Sequence, residues 1–296
     1  MANRSYFQIA ITAMTFAAVT GLSPSAQLSE TENLRSAPTI SYSKRATKPA
    51  TTKLTEAYFA SKLDTSGIAI HPGSRHSAED SPTPIRTRKC KSIVYQTLAS
   101  LPKDHSQTLT DLTLFYDKKG RRGLGGGNSI ILRCLNVTDA ELASVLVHEM
   151  GHLVDGSYLT GSQLADNSAF KDFGTPVKAD DLSAKFYAIS WLDESTEKKD
   201  SSKFDFVSLY AMTDPFEDFA ETYNFYRLHG AEFRAMAETN DGLNQKYAFM
   251  KNYVFDKKEW GADSDDETNV HISPNLSERN YDVTVLPYSL KEFFTN

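Results

Sequence analysis

Cysteine is scarce: the 296-residue chain holds two, Cys90 and Cys134. That excludes a disulfide-dense scaffold and leaves apolar burial to build the core. Glycine, at 15 residues, is too rare for a collagen-like repeat, and no apolar heptad persists, which removes a coiled coil. Long hydrophobic runs are missing apart from one near the N-terminus, so a multi-span membrane protein is excluded. Excess positive charge is missing too. The net charge of −6 argues against a nucleic-acid partner. What remains, 40% hydrophobic and 24% charged residues, suits one or two globular domains.

The one apolar run, about Ile9 to Leu22, follows Arg4 and precedes Ser23-Pro24-Ser25-Ala26. It reads as a secretory signal within residues 1–26. It falls short of the roughly 20 residues a spanning helix needs, and no stop-transfer pattern follows, so no stable membrane anchor is expected. The expected location is secreted or periplasmic. In such a compartment Cys90 and Cys134 are candidates for a single bridge, the alternatives being two buried thiols or Cys90 as a latency thiol capping a metal. Residues 27–88 are rich in Ser, Thr, Pro and basic side chains and read as a linker or pro-segment. The folded domain is expected over 89–255, with 256–296 as a C-terminal extension.

Periodicity predicts a helix from Cys90 to Leu101, strands at Leu112–Tyr116 and Ser129–Leu135, and a loop from Asp117 to Asn128. Within that loop, Gly123-Leu124-Gly125-Gly126-Gly127 lacks the Gly-Lys-Ser/Thr ending of a phosphate loop and reads as a mobile hairpin tip or cleft rim. Thr138-Asp139-Ala140-Glu141 has the capping-box pattern and opens an apolar-periodic helix running to Val154. Leu142, Val145, Leu146, Met150 and Leu153 make its buried stripe. His148 and His152, one turn apart at the edge of that stripe, bring two imidazoles to one point with Glu149 beside them. This is the HExxH arrangement, in which two histidines bind zinc and the glutamate serves as general base.

A catalytic zinc keeps three protein ligands and one open position. Asp214-Pro215-Phe216-Glu217 reads as a helix start, with Phe216, Phe219, Ala220 and Tyr223 on its core side. Glu217 and Glu221 then share a neighbouring stripe. Two carboxylates one turn apart repel unless a cation lies beside them. Glu217 is therefore the candidate third ligand, with Glu221 behind it accepting a hydrogen bond from a zinc-bound histidine, His148 foremost. Asp155 is read as a hydrogen-bonding residue near the site or as part of a C-terminal turn with Gly156. Tyr210 reaches the open side of the zinc if the turn at Thr213 and Asp214 folds its segment back; the alternative is a core tyrosine.

The strings HEMGHLVD and YAMTDPFEDFAETY together resemble the secreted HExxH zinc metallopeptidase family of the anthrax lethal factor catalytic domain and the clostridial Pro-Pro endopeptidases, a gluzincin-like group. The resemblance implies zinc, one Zn2+ per chain, on His148, His152 and Glu217, with Glu149 and Tyr210 catalytic and an aspartate following the HExxH helix at the Asp155 position. It implies an α+β, zincin-like domain: a small sheet with an edge strand before the HExxH helix, and a helical C-terminal lobe. The separation of 65 positions from His152 to Glu217 is a longer connection than such relatives use, so neither kinase substrates nor a proline preference is carried over.

The expected activity is hydrolysis of protein or peptide substrates by a metal-activated water with Glu149 as base. The expected edge strand for the peptide is Ser129–Leu135. The alternatives are a secreted binding or effector protein with a structural or vestigial zinc site, and a zinc amidase acting on a non-protein amide. No motif sets an oligomeric state. Charge divides sharply along the chain: residues 1–138 carry 18 Lys+Arg against 9 Asp+Glu, and residues 139–296 carry 14 against 29. An acidic catalytic half favours cationic peptides or a basic pro-segment.

Overall fold

Alternation buries Leu112, Leu114, Ile130 and Leu132 on one side of two short strands, and these strands build the sheet on which the site rests. In the computed structural model, which describes residues 68–73, 83–117, 120–260 and 281–295, β1 (Ala69–Pro72), β2 (Asp111–Phe115), β3 (Gly123–Gly126) and β4 (Ser129–Arg133) form a four-stranded sheet in the order β1-β2-β4-β3. β1 and β4 run parallel to β2, and β3 runs antiparallel to β4. The strand before the HExxH helix is therefore interior. The edge on its side of the sheet is β3, the glycine-rich stretch expected to be a mobile hairpin tip or cleft rim. Glycine lacks the side chain that signals a strand, and its alternation with Leu124 was too weak a pattern to read.

Helix α1 (Pro84–Ala99) starts six residues before Cys90, with Thr83 accepting from Arg86 N and Pro84 in the first turn. With β1 it shows that the fold reaches upstream of residue 89, into the stretch expected to be linker; residues 1–26, expected to be a signal segment, lie outside the described residues. A short helix α2 (Lys103–Ser106) leads to β2. Cys90 of α1 and Cys134, just after β4, form a disulfide with a Cα–Cα distance of 5.8 Å. No helix among the described residues is long and apolar enough to cross a membrane. The bridge and this feature are compatible with an extracytoplasmic protein.

Helix α3 (Asp139–Leu153) lies against the sheet. Thr138 caps it by accepting from Glu141 N. The Glu141 carboxylate does not return to the cap; it accepts from Arg122 Nη1 at 3.0 Å instead. The helix is buried nearly all round, Ser144, His148 and Glu149 included, because a second layer covers its other side. A π-type turn, Val154–Tyr158, extends it, and an antiparallel hairpin comes next, β5 (Asn167–Asp172) and β6 (Thr175–Lys178).

The second layer is helical: α4 (Leu182–Ser190), α5 (Pro215–Leu228), α6 (Gly230–Ala237) and α7 (Asp241–Phe249). The stretch from Tyr226 to Phe255, in which Leu243, Tyr247, Met250 and Val254 recur at helical spacing, is interrupted at His229 and Asn240. Leu243, Tyr247, Met250 and Val254 are nonetheless buried as their spacing predicts. The C-terminal part is no mere extension. Val283 and Phe293 are buried in the core, the latter in α8 (Leu290–Thr295). The architecture is thus mixed α+β, a small sheet and a helical layer sandwiching α3.

Close contact between α3 and α5 sets the geometry of the site. A Cβ on Gly151 would lie 2.9 Å from the Cα of Ala220, so the missing side chain is what lets the backbones of the two helices touch. Asn224 Nδ2, donating to Ser144 O at 2.7 Å and Ser144 Oγ at 3.0 Å, fastens the same pair of helices one turn along α5 from Ala220 and two turns back along α3 from Gly151.

Candidate metal centre

Where α3 and α5 cross, they present three side chains to one point. One ligand atom each from His148, His152 and Glu217 lies within 4.8 Å of the others. Glu217 Oε2 is 3.3 Å from His148 Nε2 and 3.4 Å from His152 Nε2. A cation held at about 2.0–2.1 Å by tetrahedral N and O ligands separates them by about 3.3 Å. Glu217 Oε2 is also buried without a hydrogen-bond partner. Beside two neutral imidazoles such an oxygen costs free energy that a cation would recover. The residues therefore fit a metal ion, and the group could hold one.

The local sequence explains each placement. Asp214 caps α5, its Oδ1 accepting from Phe216 N at 2.9 Å and Glu217 N at 2.8 Å, which fixes Glu217 in the first turn. Phe219, Ala220 and Tyr223 are fully buried on the core side, so Glu217 and Glu221 face α3. Glu221 Oε1 lies 2.9 Å from His148 Nδ1. Glu221 Oε2 accepts from Ser208 Oγ and from Val283 N at 2.8 Å. The turn at Thr213 does fold the Tyr210 segment back: Tyr210 OH donates to Glu217 Oε1 at 2.9 Å, and its ring stacks 6.1 Å from the His148 ring.

Glu149 lies buried beneath β3. A Cβ on Gly123 would sit 2.3 Å from Glu149 Oε1, and one on Gly125 would sit 2.8 Å from Glu149 O. The two glycines let the edge strand pass directly over this carboxylate. Asp155 is on the π-type turn and is not among the three converging side chains. Its Oδ2 accepts from Tyr187 OH at 2.5 Å, and its backbone oxygen accepts from Ser183 Oγ at 3.1 Å, so it ties α3 to α4. Burial raises its pKa to about 7, with the hydrogen bond from Tyr187 offsetting part of the effect.

Electrostatics binds the cluster together. Burial alone would depress His148, but the Glu217 and Glu221 carboxylates outweigh it and hold the imidazolium pKa well above 6.5. His152 is raised in the same way, by Glu217. Burial would raise Glu217, but the two histidines outweigh it and hold the carboxyl well below the usual carboxylate range. Burial pushes the Glu149 carboxyl up, the histidines opposing, and burial then Glu217 push the Tyr210 phenol up. A cation must displace the imidazolium protons, since only neutral imidazole is a ligand. Because both histidine pKa values are raised, metal affinity is expected to fall as pH drops already from above 6.5, with proton release on binding. Calorimetry in buffers of different ionisation enthalpy checks this; binding with no proton release would contradict it.

Sequence reasoning missed Ser208, Tyr187 and the C-terminal residues Tyr281 and Val283. The first two carry no spacing signal, and the last two lie more than 120 positions past the HExxH helix. The alternate glycines 123 and 125 were a readable sign of a close backbone approach. No family model matches the chain, and neither a curated protein nor a solved structure is significantly similar to it.

Proposed function

We propose that the chain is a secreted zinc-dependent metallopeptidase of the HExxH family that its motifs resemble, with a zincin-like catalytic domain. The observation that carries the reading is Glu217 Oε2, orphaned and nearly equidistant from two imidazoles, with the buried Glu149 carboxylate one residue from His148. Structural zinc sites are closed by four protein ligands, whereas the group found among the described residues has three, the number a catalytic site uses.

Zinc held there would polarise a scissile carbonyl and bring a bound water's pKa toward neutrality. Glu149, its carboxyl raised by burial, takes the proton of the attacking water and delivers it to the leaving amine. Tyr210 OH turns from Glu217 to the developing oxyanion. Glu221 holds His148 in one orientation. β3, antiparallel and at the sheet edge, offers its free backbone groups to an extended peptide passing over Glu149, which transfers to β3 the role expected of Ser129–Leu135. The acidic balance of residues 139–296 favours cationic peptides.

The test is digestion of an unbiased peptide library by the purified chain, with and without chelator. Cleavage that chelator abolishes and zinc restores, enriched for Lys or Arg near the cut, is expected. Stoichiometric zinc with no cleavage would point instead to a binding protein.

A further inference from the structure

The metal centre is backed by a segment remote in sequence. Tyr281 O accepts from Tyr210 N at 2.7 Å, and the two tyrosine rings lie 5.4 Å apart. Asp282 caps the turn Val283–Val285 by accepting from Thr284 N at 3.0 Å. Its other oxygen pairs with Arg122 Nη2 at 2.5 Å. Arg122 immediately precedes β3, and its Nη1 also donates to Glu141 of α3 at 3.0 Å and to Thr284 Oγ1 at 2.7 Å. Thus one guanidinium clasps the C-terminal turn to the edge strand and to the first turn of α3. So held, the fully buried Val283 directs its N–H at Glu221 Oε2.

We propose that Tyr281–Thr284 is a positioning part of the metal centre: the Val283 N–H, held in place by the Asp282–Arg122 clasp, fixes the Glu221 carboxylate that orients His148. The inference rests on the metal reading of His148, His152 and Glu217. Glu221 is fully buried, and an ionised carboxylate only accepts hydrogen bonds. With Oε2 occupied by Ser208 and Val283, Oε1 is left to the His148 Nδ1–H. In the neutral ring that puts the lone pair on Nε2, the nitrogen facing Glu217, which is the arrangement a cation requires. If the C-terminal turn is released, Oε2 loses one of its two donors, the carboxylate is free to rotate, and the imidazole loses its fixed orientation. Asp282 and Arg122 touch none of the three ligands, so their effect on the metal passes through Glu221.

The test compares the unaltered full chain with Asp282→Ala and with Val285→Ala, the latter at an exposed position on the same turn. Zinc affinity is measured against a competing chelator, and the visible spectrum is recorded with Co2+ in place of zinc. Asp282→Ala is expected to weaken zinc by about 10–100-fold and to alter the Co2+ spectrum at saturation, while Val285→Ala changes neither. Should Asp282→Ala fail to fold, Arg122→Gln opens the same clasp from its other side and is read in the same way. Unchanged affinity and spectrum in the clasp variant overturn the inference and leave the centre standing. An equal loss in Val285→Ala also overturns it, since a merely structural weakening would then account for both. A wild-type chain that takes up no zinc overturns the metal reading, and the inference with it.

Discussion

Glu149→Gln is expected to retain the metal and to lose hydrolysis by about 10²–10⁴-fold. The amide has the size of the carboxylate, which matters because Gly123 and Gly125 already bring β3 against this side chain with no room for added volume. The amide keeps one oxygen that accepts hydrogen bonds. It cannot take up a proton from water. Glu149 is not one of the three side chains whose ligand atoms converge, so metal content should stay stoichiometric. Metal analysis beside turnover on the best library peptide checks both halves. Undiminished turnover removes Glu149 as the base, and loss of the metal along with activity makes it a ligand or a structural support.

Lys246→Ala is expected to destabilise the fold by about 3–5 kcal/mol. Its ammonium is wholly buried in α7, 2.9 and 2.7 Å from the two oxygens of an equally buried Asp218 in α5. Trp191 Nε1 donates to the same carboxylate at 3.0 Å, and the ammonium lies 3.9 Å from the centre of the Phe206 ring. Burial pushes Asp218 up and Lys246 down in pKa, while each charge pulls its partner back. Removing the lysine leaves a carboxylate with neither solvent nor counter-charge. In a folded region of this size the loss lowers Tm by roughly 6–20 °C. Replacing both partners, as Lys246→Met with Asp218→Leu, should recover much of the loss, because no uncompensated charge then remains. Urea denaturation of the two single variants and the double one closes the cycle. A Lys246→Ala loss within about 1 kcal/mol would mean that water or a shifted proton already neutralises Asp218.

Local rules carried the reading furthest where short-range physics decides the outcome. The threonine cap at 138, the Asp214-Pro215 start and the one-turn spacing of His148 and His152 are all satisfied within a few residues, and the helices form there. Glu217 converges on the two histidines, Glu221 meets His148 and Tyr210 meets Glu217, because a capped helix start leaves little freedom in the faces it presents. The reading failed where a partner is distant in sequence. Glu141 looked like half of a capping box, yet Arg122 offers it a charge and draws it away. Ser129–Leu135 looked like an edge because its neighbour on that side is glycine-rich and carries little strand signal. Asp155 was legible as a residue near the site, but not its hydrogen bond with Tyr187, 32 positions later.

By itself the sequence determined the chemistry present: two imidazoles and a carboxylate on one helix, a second pair of carboxylates on another, and the caps that begin both. Spacing along a helix is a local quantity, so it can be read without the rest of the chain. Only the tertiary structure decided which atoms meet. The Gly151–Ala220 contact sets how close the two helices come and so converts a motif into a three-atom cluster. The order of the sheet places β3 over Glu149. The C-terminal turn supplies a backbone N–H to Glu221, a group that every residue except proline carries and that no composition or spacing can single out.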